Sequence, residues 1–151
     1  MCLHVQKKLT TEFRKKYRKQ KTFIAYKVVQ IIKFIPVSIP PDLYSPPVLK
    51  SEYQSYIYTV GKHISNNAIF NRIERPFKKL CNDYGIYDGF HVYLSRNKAK
   101  SLCNTISGNK IVMPVLCRVS DLIAIGCKGD AVLTQIELTQ KTYDRIIKVG
   151  K

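Results

Sequence analysis

Gly89-Phe90-His91-Val92-Tyr93-Leu94-Ser95, followed at helical spacing by Ala99, Leu102, Cys103 and Ile106 and then by Gly108, is the stretch that decides the fold. Phe90, Val92 and Leu94 alternate with His91 and Tyr93, the period-two pattern of a strand with one face on a core. Ser95 suits a helix N-cap, where its side-chain oxygen can accept one of the orphan N–H groups of the first turn. Gly108 stands where a helix commonly ends in a left-handed residue. A strand, a cap and a helix in quick succession predict a domain that mixes the two element types.

The sequence on either side fits. Ile111, Met113, Val115, Cys117 and Val119 alternate through a second strand, with Pro114 on the opposite face marking an edge or a bulge. After a turn at Gly126 to Asp130, residues 131–138 read as one more strand, and Thr139 caps a final helix whose apolar side is Tyr143, Ile146 and Ile147. Upstream, Phe23 to Ile35 is rich in β-branched and aromatic residues and predicts a buried strand. Pro36, Pro40, Pro41, Pro46 and Pro47 then make an extended loop over 36–50. Residues 53–60 read as a strand that Gly61 and Lys62 close, and 63–80 as irregular or shortly helical. The expectation is an α+β class with two or three short helices: a single domain over 22–151 behind a segment of different character at 1–21.

That segment is the source of the second signal. The chain has 151 residues and a formal net charge of +16, from 26 Lys and Arg against 10 Asp and Glu. Such an excess repels itself and usually meets a polyanion; nucleic acid is the default partner, acidic proteins and acidic lipid surfaces the competitors, and a compositional bias toward Lys, Ile and Asn the bland alternative. Lys7, Lys8, Arg14, Lys15, Lys16, Arg18, Lys19 and Lys21 face only Glu12 in 1–21. With Leu9, Phe13 and Tyr17 at fourfold spacing, this basic N-terminal arm can be a helix with one apolar edge, or disordered until it meets an anion. Arg14, Lys15, Lys16, Arg18 and Lys19 are the candidate phosphate contacts, with Arg72, Arg75, Lys78 and Lys79 as a second group. The ten tyrosines among the lysines suggest stacking on bases, although Tyr26, Tyr56 and Tyr143 fit the core. With no RNP-type motif, KH loop or zinc finger, binding would lack sequence preference and fall steeply with salt.

Five cysteines (Cys2, Cys81, Cys103, Cys117, Cys127) form no C-x-x-C pair and read as free thiols of a reducing, intracellular compartment, with Cys103 and Cys117 on apolar faces. His4, His63 and His91 are scattered, so no metal site is expected. The apolar run Phe23 to Val37 contains Lys27 and Lys33 and is too short to span a bilayer, and no small-x-small site follows it as a signal peptide would require. No Ser-His-Asp set, phosphate-cradling glycine loop or nucleophile elbow occurs.

Ala25-Tyr26-Lys27-Val28-Val29, then Tyr58-x-x-Gly61-Lys62, then Gly89-Phe90-His91-Val92-Tyr93-x-Ser95 with Ala99, then the strand from Val112 to Val119, together resemble uncharacterised small proteins of bacteriophages and large DNA viruses, over roughly residues 23–147. The same order is distantly similar to the ADP-ribosyltransferase fold. That likeness implies a small split or curved sheet around NAD, Tyr93 packing against nicotinamide, and Glu137 of Gln135-Ile136-Glu137 as the catalytic carboxylate, with His91 nearby. Where that fold carries a His or Arg on its first strand, this chain has Tyr26 and Lys27.

Three functional readings follow. The first is a virus- or phage-type accessory or virion-associated protein, in host cytoplasm or virion, that binds nucleic acid or another phosphate-rich partner without a cofactor. The second is an NAD-dependent ADP-ribosyltransferase-like enzyme or its nucleotide-binding remnant. The third is a structural protein that cements acidic partners in a particle.

Overall fold

The computed structural model of the chain describes residues 6–32, 47–51, 56–66, 89–105 and 109–149. In chain order these contain α1 (Lys7–Tyr17), β1 (Thr22–Ile32), β2 (Val48–Ser51), β3 (Ile57–Tyr58), β4 (Gly61–Ile64), β5 (Phe90–Tyr93), α2 (Arg96–Thr105), β6 (Lys110–Arg118), β7 (Leu122–Ile125), β8 (Asp130–Leu133), β9 (Gln135–Leu138) and α3 (Gln140–Val149). The class is α+β, and the strands form one nine-stranded antiparallel sheet, larger than the sequence suggests.

β1 organises it. Its β-branched and aromatic run pairs on one side with β6 throughout, from Thr22 opposite Arg118 to Gln30 opposite Lys110. On the other side it forks: Tyr26 lies opposite Tyr93 of β5, while Val29 to Ile32 pair with β2, which pairs with β3. The main path runs β4-β9-β6-β1-β5-β8-β7, with β2 and β3 branching from β1. Only Thr59 and Val60 separate the end of β3 from the start of β4, so those ends lie within about 11 Å. The branch is thereby carried back to the far end of the path, and the sheet curls around its own core.

Alternation assigns the two faces of β1. Phe23, Ala25, Val29 and Ile31 point into the main core with Leu49, Tyr58, Met113 and Ile136. Val28 points the other way and packs with Tyr93 beneath Ala99 of α2, with Tyr26, Leu102 and Cys103 around them. Both helices start where expected, α3 with a side-chain cap and α2 with its first main-chain bond to Ser95. The Ser95 carbonyl accepts the Ala99 N–H at 3.2 Å, and Thr139 Oγ1 accepts the Thr142 N–H at 3.3 Å.

Four expectations are corrected. Gly61 and Lys62 open β4 rather than close a strand, because the positive φ of Gly61 (118°) returns the chain to extended structure after the bend at Thr59-Val60. Val48 to Lys50 are strand, not loop, since their main chain pairs with β1. Residues 131–138 are two strands: Thr134 gives its N–H to Asp121 and its carbonyl to Ser65, and there the chain leaves β5 and β7 for β4 and β6. Leu122 to Ile125, unassigned in sequence, form β7. Pro114 does lie at a local edge, since β9 ends at Leu138, before the position opposite it.

Of the two states open to the N-terminal segment, residues 7–17 adopt the helix, and it is docked. Phe13 and Tyr17 set their rings against Phe23 at 4.9 and 5.8 Å between centroids. The helix start also closes the outer edge of β7. Gln6 N–H donates to the Ile125 carbonyl at 2.8 Å, Thr10 Oγ1 accepts the Ile125 N–H at 2.9 Å, and Arg14 donates to the Leu122 carbonyl at 2.8 Å. An unpaired edge is a template for another chain; here Gln6, Thr10 and Arg14, on successive turns of one side of the helix, engage it.

Candidate functional site

The face of α1 that does not meet the core borders a groove. Thr11, Arg14, Lys15 and Arg18 recur at the spacing that puts side chains on one helix face, and they look across a cavity of about 810 Å³ to Thr22, Arg118 and Ser120. Lys21 joins them from the turn between α1 and β1, where its φ of 59° is left-handed and its carbonyl accepts the Val119 N–H at 2.9 Å. That bond ties the turn to the end of β6 and fixes the width of the groove. Among the described residues, five basic side chains, three hydroxyls and no carboxylate line it.

The electrostatic consequence is direct. Arg14 is committed to the Leu122 carbonyl, whereas Lys15, Arg18, Lys21 and Arg118 make no side-chain hydrogen bond or ion pair among the described residues. Four uncompensated cations around one cavity repel one another and concentrate anions. Arginine supplies planar, bidentate donors for phosphate and lysine a mobile point charge. Among the described residues no carboxylate, histidine or cysteine lines the groove, and the cations and hydroxyls that do are suited to holding an anion.

No protein-family model, curated protein or solved structure matches the chain. The functional reading therefore rests on this geometry.

Of the residues singled out from sequence, Arg14, Lys15 and Arg18 come together in the groove. Lys16 and Lys19 are exposed outside it, Lys16 with its ammonium 5.5 Å from the Tyr17 ring. Arg72, Arg75, Lys78 and Lys79 lie outside the described residues. Lys21, Thr22, Arg118 and Ser120 were missed. Arg118 ends an alternating run like any solvent-facing cation, and only the pairing of β6 with β1 brings it beside Thr22.

Tyr93, His91 and Glu137 share a sheet face, as register and alternation require. They do not form one cleft. β6 and β1 stand between β9 and β5, which puts Glu137 about 14 Å sideways from Tyr93 at the usual strand spacing. Tyr93 is 5% exposed beneath α2. Its ring is covered where the resemblance would have it meet nicotinamide, so these residues do not fit NAD and no step through it follows from them.

The buried titratable groups read as structural. His63 has both ring nitrogens engaged, with Tyr56 Oη at 3.0 Å and the Thr59 carbonyl at 2.7 Å. The carbonyl needs a donor, so Nε2 carries a proton toward it. Burial pushes the Cys117 thiol up to about 12, which keeps it protonated and unreactive. Among the described residues no group of His, Cys, Asp and Glu could hold a metal ion, and no helix is long and apolar enough to cross a membrane.

Lys27 is the exception in the core. It is 6% exposed, with its ammonium 2.6 Å from the His91 carbonyl and 5.6 Å from the centre of the Tyr58 ring. Burial lowers its pKa to about 8. Between about pH 8 and its ordinary value the unfolded chain holds the extra proton, so stability rises with pH there. Above pH 9 the raised Cys117 thiol works in the opposite sense, since the unfolded thiolate forms first, and Tyr58, also raised by burial, does the same above pH 10. Urea unfolding should therefore show a gain of about 1 kcal/mol between pH 8 and 9. Lys27→Met should be more stable at pH 7 and lack that rise; an unchanged slope in the variant would place its origin elsewhere.

Proposed function

We propose that the protein is a binding protein for the phosphate backbone of nucleic acid, and that the groove between α1 and the β1–β6 pair is the contact surface. One observation carries this reading: among the described residues, five cations and no carboxylate converge on a single cavity, four of them without a partner there. Affinity would come from release of counterions as phosphates are neutralised, so it would be indifferent to sequence.

A duplex fits better than a single strand. Among the described residues no ring lines the groove, and all six tyrosines there (Tyr17, Tyr26, Tyr56, Tyr58, Tyr93, Tyr143) are buried or half-buried. Stacking of bases, which single-strand binders rely on, finds no surface there. The resemblance to phage and viral proteins makes this an accessory or virion-associated protein in our reading, with the packaged or replicating nucleic acid as partner.

Titration of a fluorescent duplex across a salt series tests this. Four to five neutralised phosphates predict a slope of about −4 in log K against log salt, the same for unrelated sequences. A slope near zero, or a preference for one sequence that survives at high salt, would contradict the reading.

Lys21 allows a finer test. Its left-handed backbone costs a non-glycine residue on the order of 1 kcal/mol, so Lys21→Gly should fold at least as stably while binding the duplex more weakly. Equal affinity in the variant would remove Lys21 from the contact surface.

A further inference from the structure

A second cleft lies further along the same strand pair. Thr22 opposite Arg118, Ile24 opposite Leu116 and Tyr26 opposite Pro114 are successive rows on one sheet face. The first row borders the cationic groove and the third borders a separate cavity of about 470 Å³. Four residues of strand separate them, about 13 Å. Arg96 at the start of α2 and Arg145 on α3 flank this cavity from two helices, Tyr26 forms one wall, and Val112, Pro114 and Ile146 provide an apolar lining.

Neither arginine is neutralised. Arg96 and Arg145 make no side-chain hydrogen bond or ion pair among the described residues, and the Gln140 amide donates to one oxygen of the neighbouring Asp144 carboxylate at 2.8 Å. No carboxylate among the described residues lines the cavity. Two forked cations above an apolar lining with one half-buried ring match a ligand with an anionic group at one end and a flat apolar body at the other. The cationic groove, with hydroxyls and no ring, has no place for such a body.

We infer that this cleft is a mononucleotide site: Arg96 and Arg145 hold the phosphate, and the base lies against Tyr26 and the apolar lining. The choice of a nucleotide among organic phosphates rests on the reading of the groove as a nucleic-acid surface. The site would take a free nucleotide or an unstacked end of a strand whose backbone follows the groove.

AMP is the probe, with adenosine and inorganic phosphate as its two halves, titrated into the full chain and followed by calorimetry. AMP is expected to bind at least about tenfold more tightly than either half, and Arg96→Ala and Arg145→Ala each to weaken it by about tenfold, the scale of a lost charge-assisted hydrogen bond. Tyr26→Leu should weaken AMP but not inorganic phosphate, and thermal melts check that each variant is folded. Loss of AMP binding in a Lys15→Gln/Arg18→Gln variant, with the cleft variants unaffected, would overturn the inference and leave the groove standing as the anion site. Inorganic phosphate binding as tightly as AMP, or no AMP binding at millimolar concentration, would overturn it too, while the salt slope on duplex judges the groove by itself.

Discussion

Replacing Lys15, Arg18, Lys21 and Arg118 together by glutamine should lower the steepness of the salt dependence on duplex nucleic acid by about 3 to 4 in log–log slope. Each of the four is exposed and has no partner among the described residues, so the change removes charge without opening the core or unpairing a buried group there. At about 0.9 per phosphate contact, the loss corresponds to a difference of about 100-fold between 50 and 200 mM salt. Arg14 is left in place because its guanidinium holds the Leu122 carbonyl, and removing it would confuse binding with docking of α1. The same number of neutralisations at Lys8, Lys16, Lys19 and Lys128, exposed cations outside the groove, controls for net charge alone. Equal losses in the two variants would reduce the effect to overall charge and remove the groove from the account.

The second large effect is on stability. Deletion of residues 2–18 should leave a chain that aggregates or melts about 10–20 °C lower. The deletion removes Phe13 and Tyr17 from Phe23, each half-buried ring contributing about 1 kcal/mol. It also takes away the partners of the Ile125 N–H and carbonyl and of the Leu122 carbonyl, at about 1 kcal/mol or more for each bond. The sum, about 5 kcal/mol or more, is comparable with the whole stability of an ordinary domain. The bared edge of β7, with Leu122 to Ile125 apolar throughout, then offers a strand to other chains. Differential scanning calorimetry and light scattering would show this. A soluble truncated chain with an unchanged melting temperature would mean that α1 is an appendage, and a simple truncation would then suffice to test binding.

The strand and helix around Ser95, the strand through Ile111 to Cys117 and the Thr139 cap were legible because each is a local pattern with a local cause. β7 and β8 were less so: each is buried along all four residues, so neither shows the alternation by which a half-buried strand is recognised. The split at Thr134 depends on two backbone partners, Asp121 and Ser65, far away in sequence.

For the candidate site, the cationic run marked Arg14, Lys15 and Arg18 together with Lys16 and Lys19, and only the formed helix separates the three that border the groove from the two that do not. Lys21 and Arg118 could join them only after a left-handed turn and a sheet register were known. The separation of Tyr93 from Glu137 has the same origin. A short motif gives residue types, whereas the distance between them is set by the strands the chain inserts between.

The most direct test of the central claim is an NMR titration of the isotope-labelled protein with a short duplex at low salt. The account predicts amide shifts concentrated at Thr11 to Arg18, Lys21, Thr22 and Arg118 to Ser120, reversed by added salt. Shifts confined to the β3–β4 side of the sheet, or none under conditions where the duplex binds, would contradict it.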